Sequence, residues 1–153
     1  MAGVDRLEYL NWQELDLRSE YLMKRHPRIG ESAEIRFVVG SEHTITFAEP
    51  PMPAVLSTPT LIGFMEQTAR KALTPLMDDG ETNLGVKVDI EHLAGTLPGH
   101  EVTCTARVIN CELPYVTFQV EARDETDLLS RGVHRRCVVD TARLARRLSR
   151  KAL

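Results

Sequence analysis

The sequence predicts an α+β fold in which an antiparallel sheet wraps around one long central helix. Two observations predict it. A strongly apolar helical segment over residues 58–77 is followed by four consecutive segments in which apolar residues alternate with polar ones. Consecutive strands joined by short turns pair antiparallel, and one face of such a sheet needs an apolar cover. The helix over 58–77 is the predicted element that is apolar enough to provide it.

The 153 residues fit one domain with an addition at each end. We expect an N-terminal helical extension over residues 1–33, a main domain over 34–140 and a basic C-terminal helix over 141–153. The extension contains a segment at 4–24 whose leucines recur at helical spacing.

Two short strands, or one strand with a break at Gly40, are predicted at 34–39 and 43–47. Three prolines in four residues then favour an extended loop over 50–53, because proline cannot donate to a strand ladder. Ser57 or Thr58 can cap the central helix, and Pro59 suits its first turn.

Apolar residues mark the four later strands. In each of the first three, the apolar residues alternate and are expected to share one face; they are Leu84, Val86, Val88 and Ile90; Val102, Cys104, Ala106 and Val108; and Val116, Phe118, Val120 and Ala122. The fourth strand is marked by Leu129, Val133, Cys137 and Val139.

Composition limits the classes of function. Hydrophobic residues make up 42% and charged residues 27%, as in ordinary globular proteins. No segment approaches the roughly 20 consecutive apolar residues of a membrane span, and the first ten residues lack the apolar core of a secretory signal. We therefore expect a cytoplasmic protein that does not interact with membranes. Three cysteines without a CxxC pair predict neither a metal site nor a disulfide framework.

Charge is distributed unevenly. Residues 131–153 carry eight Arg or Lys and one Asp, a net charge of +7, whereas the whole chain carries −3 and the remainder therefore −10. This predicts an anionic partner, and either a solvated helix face or contact with phosphates explains the terminal arginines. Phosphate-loop, dinucleotide, HExxH and GxSxG motifs are absent from the sequence, as are nucleic-acid-binding motifs. We expect no nucleic-acid partner.

Several motifs lie on the predicted elements at informative spacing. They are Val55-Leu56-Ser57-Thr58-Pro59 at the helix start, Glu66 eight residues after Thr58, Asn83-Leu84-Gly85 at a strand start, Glu91-His92-Leu93-Ala94-Gly95-Thr96 at its end, and Arg131-Gly132-Val133-His134 in the last strand. In this combination the chain resembles the hot-dog acyl-CoA thioesterases of the fluoroacetyl-CoA thioesterase branch, over roughly residues 34–140.

The resemblance implies a hot-dog fold, hydrolysis of an acyl-CoA thioester and no cofactor beyond the coenzyme A of the substrate. It implies a catalytic group of Thr58, Glu66 and His92. It further implies that the Gly85 amide helps bind the thioester carbonyl. We also expect Ser57, Arg131, His134 and Arg135 to bind substrate.

Each candidate also has an ordinary structural explanation. Thr58 is a good helix cap, Glu66 could lie at the wet edge of the apolar stripe, and His92 could be a hydrogen-bonded core residue. If Glu66 approaches His92, it would orient and charge the imidazole. Thr58 and Glu66 are about 12 Å apart along a helix, so either His92 bridges them or the site combines two chains of a homodimer. A hot-dog hydratase or dehydratase and a non-catalytic acyl-CoA-binding module remain alternatives.

Overall fold

The computed structural model describes residues 23–150. In order, the strands and α-helices of this part are β1 (Ser32–Val38), α1 (Thr58–Leu73), β2 (Glu81–His92), β3 (Glu101–Glu112), β4 (Tyr115–Arg123), β5 (Leu128–Asp140) and α2 (Thr141–Ser149). Short 3-10 turns occur at Ser41–His43 and Thr74–Leu76. The helix predicted at 4–24 lies outside the described residues apart from its last two positions, which are not helical.

All strand pairs are antiparallel, in the spatial order β1-β3-β4-β5-β2. The expectation that consecutive strands pair holds for β3, β4 and β5, because short turns at 113–114 and 124–127 join them. It is wrong for β2 and β3. The connection at 93–100 is long enough to carry the chain across the sheet, and β2 pairs with β5 instead. One long edge of β2 therefore has no strand partner within residues 23–150.

The strand predicted at 43–47 is also absent. A 3-10 turn and a single bridge between Thr44 and Leu56 take its place. Ser57 Nα donates to the carbonyl of His43, and Ile45 Nα donates to the carbonyl of Val55. The proline-rich loop is thus closed at its base by backbone bonds, which leave too few consecutive pairs for a strand.

Helix α1 covers one face of the sheet, as predicted. Its buried residues Leu61, Met65, Ala69 and Leu73 pack in a core with the inward side chains of β3 and β4. Those side chains are Val102, Cys104, Ala106, Val108, Val116, Phe118, Val120 and Ala122. On the outer face, Leu144 of α2 packs against a smaller cluster around Cys137 and Val139. Among the described residues, no helix is long and apolar enough to cross a membrane.

A β-bulge breaks the alternation of β2. Gly85 pairs with Arg136 and Lys87 with Arg135, so Val86 is an extra residue. The predicted common face of Leu84, Val86, Val88 and Ile90 is therefore wrong. Leu84 and Val86 join the outer cluster under α2, whereas Ile90 packs against the core under α1.

Strands β2 and β5 approach closely at Gly132. This close approach predicts how a substitution there changes the free energy of unfolding. A Cβ at position 132 would overlap the Asp89 carbonyl oxygen and lie 2.6 Å from Ile90 Cα, both backbone atoms that cannot turn aside. We expect Gly132→Ala to lower the free energy of unfolding by about 1–3 kcal/mol, the usual cost of overpacking. Denaturant titration measures it.

Gly63 provides the matched control, because no atom lies within 4 Å of a Cβ placed there. Gly63→Ala in the middle of α1 should raise the free energy of unfolding by about 0.5–1 kcal/mol through helix propensity. Equal effects of the two substitutions would contradict the close approach at Gly132.

Candidate active site

The first part of the site forms where α1 begins. Ser57 is the N-cap, and its hydroxyl accepts from the Thr60 amide at 3.3 Å. Thr58 is therefore the first helical residue rather than the cap, and its exposed hydroxyl is free to serve another group. Thr58 Oγ1 lies 2.7 Å from His92 Nδ1. This hydrogen bond joins two predicted catalytic residues, from α1 and from the end of β2.

His92 lies at the inner face of the sheet, half-buried beside the helix terminus. Its Nδ1 is occupied by Thr58, while its Nε2 is buried and has no hydrogen-bond partner in the protein. A buried polar atom without a partner is costly. Such an atom beside an exposed hydroxyl is suited to accept or donate a proton when a further group arrives.

The second part of the site lies two turns further along α1. The half-buried Glu66 carboxylate lies directly over Gly85, where a Cβ would overlap Glu66 Oε1 and lie 3.1 Å from His134 Cε1. Only glycine leaves room for this approach. Gly85 and Glu66, both predicted site residues, are thereby brought together.

Glu66 faces two buried basic side chains of β5. Its Oε1 lies 3.8 Å from His134 Nε2 and 3.9 Å from Arg136 Nη1. Within one chain, the contacts of Glu66 are thus with His134, Arg136 and Gly85, while His92 contacts Thr58. The expected orientation of His92 by Glu66 does not occur inside one protomer.

A polar network surrounds Arg136, which is 5% exposed. Its Nε donates to the side-chain oxygen of Asn83, its Nη2 donates to the Asn83 carbonyl at 3.0 Å, and its Nη1 lies 3.1 Å from His134 Nε2. Burial lowers the pKa of Arg136, and the Glu66 carboxylate opposes that shift. Arginine remains protonated under such conditions, so a positive charge stands beside Glu66.

His134 uses both ring nitrogens within the protein. Its Nδ1 lies 2.9 Å from the Lys87 carbonyl, which can only accept, so Nδ1 carries the hydrogen. Nε2 is then the acceptor for Arg136. Burial is the largest influence on the pKa of His134 and lowers it. The bond to Lys87 raises the pKa, Arg136 lowers it further, Glu66 raises it, and the net shift is downward. The imidazole is therefore held neutral.

Arg131 and Arg135 lie on the other side of β5. Both are exposed on the outer face of the sheet, where Arg131 Nε is 3.5 Å from Glu91 and the Arg135 guanidinium is 5.7 Å above the Tyr115 ring. The alternation along β5 separates them from His134 and Arg136. The structure thus divides the predicted substrate-binding residues between the two faces of the sheet.

The sequence analysis missed Arg136 and Asn83. The strand periodicity could have identified Arg136. It is two residues from His134 and therefore lies on the same face of β5, among apolar residues. A charged residue on that face requires a partner. Asn83 pairs in the ladder with Val138 rather than with Arg136, so its proximity could not be read from the sequence.

One further group has metal-ligand chemistry in the described part of the chain. Ligand atoms of His100, Asp124 and Glu125 lie within 4.8 Å of one another in loops on the protein surface. Glu125 accepts from the Glu101 amide and Asp124 from the Thr126 and Asp127 amides. These carboxylates therefore serve as loop caps, away from the helix α1 site.

Comparison with known proteins places this architecture among thioesterases. A family model described as fluoroacetyl-CoA-specific thioesterase matches residues 39–142. The fluoroacetyl-CoA thioesterase of Streptantibioticus cattleyicolor is 33% identical over 123 residues, covering 76% of this chain and 88% of that protein. A solved structure of the fluoroacetyl-CoA thioesterase FlK matches with a TM-score of 0.77 at 29% identity, covering 83% of this chain and 98% of that one.

Two other solved structures agree on the fold. A thioesterase superfamily member from Thermus thermophilus is 34% identical with a TM-score of 0.75, covering 84% of this chain and 97% of that one. A hot-dog-like protein from Thermanaerovibrio acidaminovorans is 25% identical with a TM-score of 0.74, covering 80% and 91%. The predicted hot-dog fold is confirmed.

The neutral, buried His134 predicts a pH dependence of stability. Its folded pKa lies below the ordinary value of 6.5, so the unfolded chain binds more protons between these two values. The free energy of unfolding should therefore fall as pH decreases through about 6.5 toward the folded pKa, and this contribution should be fully present above 6.5. Denaturant titrations between pH 5 and pH 8 measure the slope.

Replacing the titrating group should remove this slope. His134→Asn keeps a hydrogen-bond donor and cannot titrate, so its stability curve should be flatter over the same range. His100→Asn removes an exposed imidazole that pairs with Glu125 and should leave the His134 contribution in place. A wild-type slope unchanged in His134→Asn would contradict the assignment.

Proposed function

Because the chain belongs to the fluoroacetyl-CoA-specific thioesterase family, it is an acyl-CoA thioesterase, and we propose that Thr58, Glu66 and His92 form its catalytic group at the boundary between two protomers. The observation that carries this proposal is the 2.7 Å hydrogen bond between Thr58 Oγ1 and His92 Nδ1. It joins a nucleophile and a base at the N-terminus of α1, where helix amides favour negative charge.

The proposed chemistry requires polarisation of the thioester carbonyl and delivery of an oxygen nucleophile. His92 accepts a proton from the Thr58 hydroxyl, or from a water that Thr58 positions, and that oxygen attacks the carbonyl carbon. The Gly85 amide binds the carbonyl oxygen as negative charge develops on it. The carbon–sulfur bond then breaks, and protonated His92 returns its proton to the coenzyme A thiolate. Attack by water releases the free acid in this step. Attack by Thr58 leaves an acyl-Thr58 ester, which a water deprotonated by His92 hydrolyses to the free acid as the proton returns to the Thr58 oxygen. No cofactor is needed.

Geometry favours a site shared between two chains. Glu66 follows Thr58 by eight residues on α1, about 12 Å along the axis. In one protomer Thr58 and His92 lie at one end of this distance and Glu66 and Gly85 at the other. Each protomer therefore offers two half-sites, and His92 does not bridge them.

Strand β2 can bring the half-sites together. It is an edge strand whose outer backbone groups have no strand partner among residues 23–150. Antiparallel pairing of two β2 strands, centred near Val88 and Asp89, would set Gly85 of one protomer beside the partner's His92. We therefore propose a homodimer with two equivalent sites, in which each site takes Thr58 and His92 from one chain and Glu66 and Gly85 from the other.

The predicted catalytic group can be tested by complementation. Glu66→Gln and His92→Ala should each lower kcat for acyl-CoA hydrolysis by about 10²-fold or more, the scale of lost acid–base catalysis. Co-expression of the two variants should restore about a quarter of wild-type activity, because half of the dimers are mixed and each mixed dimer has one intact site. A free-thiol assay over a panel of acyl-CoAs measures the turnover.

The matched control co-expresses two variants that each lose a residue of the same half-site, the one formed by Thr58 and His92. Thr58→Val co-expressed with His92→Ala should restore nothing, because every site then lacks one of the two groups that one chain supplies. Light scattering should show a dimer for all variants. Recovery in neither mixture would place the whole group within one chain, and a fully active monomer would refute the shared site.

We propose that the positive charge of the C-terminal region attracts the phosphates of coenzyme A. That charge is carried by Arg131 and Arg135 on the outer face of β5, by the exposed Arg146 of α2 and by the exposed C-cap residue Arg150. Ser57, the N-cap residue beside Thr58, is a proposed binding residue near the thioester. Deleting the segment after Asp140 would also remove Leu144 from the outer apolar cluster, so charge substitution is the cleaner test.

Arg146→Gln with Arg150→Gln should raise KM for acyl-CoA roughly two- to fivefold at low ionic strength, and the effect should vanish in high salt because exposed charges are screened. The matched control is Arg28→Gln with Arg36→Gln, which removes the same charge near β1 and should leave KM unchanged. Equal KM changes in both double variants would indicate a general charge effect and no local phosphate contact.

The cytoplasmic location also remains a proposal. Cys104, Cys111 and Cys137 are free thiols, as suits a reducing compartment. Burial raises the pKa of Cys104 to about 12 and of Cys137 to about 11, so both are unreactive core residues.

A further inference from the structure

We propose that His134 and Arg136 form a side-chain brace that fixes the β-bulge of β2 and thereby positions the Gly85 amide for the thioester carbonyl. The inference rests on the proposed thioesterase site and assigns these two residues a positioning role within it. Neither needs to touch the substrate for this role.

The brace forms hydrogen bonds to β2 on both sides of Gly85. Arg136 Nη2 donates to the carbonyl of Asn83, two residues before Gly85, at 3.0 Å. His134 Nδ1 donates to the carbonyl of Lys87, two residues after Gly85, at 2.9 Å. The two basic side chains are joined to each other by the contact of 3.1 Å between Arg136 Nη1 and His134 Nε2. Two carbonyls that flank the bulge are thus tied to one rigid unit.

The bulge needs such support because the ladder cannot provide it. The register between β2 and β5 shifts between Gly85 and Lys87, and the extra residue Val86 has no pairing partner in β5. A bulge locally disrupts the backbone pairing. Glycine at position 85 adds conformational freedom, since it lacks a Cβ. Backbone direction at Gly85 must therefore be held by side chains.

Burial makes the brace rigid. Arg136 is 5% exposed and His134 is 1% exposed, so water cannot substitute for their partners. The Nε of Arg136 is additionally held by the Asn83 side chain, which is itself buried. Because His134 is neutral and donates through Nδ1, its Nε2 lone pair is available to Arg136. Each nitrogen of the Arg136 guanidinium and of the His134 ring has a hydrogen-bond partner within the protein, and such a network specifies one geometry.

The brace also forms the wall against which the Glu66 carboxylate lies. A Cβ at position 85 would overlap Glu66 Oε1 and press against His134 Cε1 at 3.1 Å. The Glu66 carboxylate and the His134 ring therefore both lie against Gly85, in the space that a Cβ would occupy. Loss of the brace should change the direction of the Gly85 amide before it changes substrate affinity.

Kinetics of His134 variants test the brace. A preorganised amide at the oxyanion acts mainly in the transition state, and loss of one such donor costs about 10²–10³ in kcat. His134→Leu removes the donor to Lys87 and should lower kcat by about 10- to 100-fold with KM changed less than twofold. His134→Asn places an amide donor at the Nδ1 position and should keep most of the activity. His100→Leu, an exposed histidine outside the site, is the control and should behave as wild type.

A second measurement tests directly whether the backbone of the bulge is held in place. Amide hydrogen exchange in the folded dimer should increase at residues 84–88 in His134→Leu and remain as in wild type in His134→Asn, whereas exchange in the β3–β4 core should not change. Both outcomes together support the brace. A His134→Leu protein that folds with wild-type kcat, or one whose exchange rises uniformly over the whole sheet, overturns it.

The two proposals fail separately. If wild type hydrolyses no acyl-CoA, the proposed function is wrong, while the exchange measurement still decides whether the bulge is braced. If wild type and His134→Leu hydrolyse acyl-CoA equally well while His92→Ala is inactive, the catalytic group stands and the brace is refuted.

Discussion

The β-bulge at Gly85 is the constraint on which the candidate site depends. Gly85 and His92 are seven residues apart, and in an uninterrupted strand an odd separation places two residues on opposite faces. The extra residue Val86 changes the phase of the strand, so both residues face α1. The same shift places Leu84 and Val86 on the outer face, where Leu144 of α2 covers them. One inserted residue therefore accounts for two features: a polar site under the central helix and an apolar patch that the terminal helix can cover.

The buried polar groups under the second half of α1 can be explained by electrostatics. A buried guanidinium is tolerated only when it is paired and its donors are bonded. Arg136 meets this condition through Asn83, His134 and the half-buried Glu66. Replacing one of these groups by an apolar side chain leaves a buried partner without its hydrogen bond, because each serves at least two neighbours. Buried ion pairs are in general a weak source of stability, and this network holds a carboxylate, a glycine backbone and a neutral imidazole in one fixed arrangement.

Features of this structure that depend on local sequence could be predicted, and features that depend on contacts between distant segments could not. The central helix, its N-terminal position and the later strands could be predicted because they depend on local periodicity and capping. The strand order could not, because it depends on where a long connection carries β3. The phase of β2 was predicted wrongly because unbroken alternation of Leu84, Val86, Val88 and Ile90 is the simplest explanation of that sequence, and the bulge is visible only in the pairing with β5. The resemblance to thioesterases brought Thr58, Glu66, Gly85 and His92 to attention, but it gave no indication that Asn83 holds Arg136.

In the proposed homodimer, the separation of Thr58 and Glu66 along α1 connects catalysis to assembly. Helical rise sets the distance between Thr58 and Glu66 and leaves no freedom to shorten it within one chain. Two-fold symmetry offers a solution that needs no change in either half, since antiparallel pairing of two β2 edges reverses one protomer relative to the other. The exposed edge, an aggregation hazard in a monomer, would then become the centre of a continuous sheet. In the proposed homodimer, the edge of β2, the bulge and the helical spacing would act together. Each half-site would be held by its own protomer, and the complete site would exist only in the dimer.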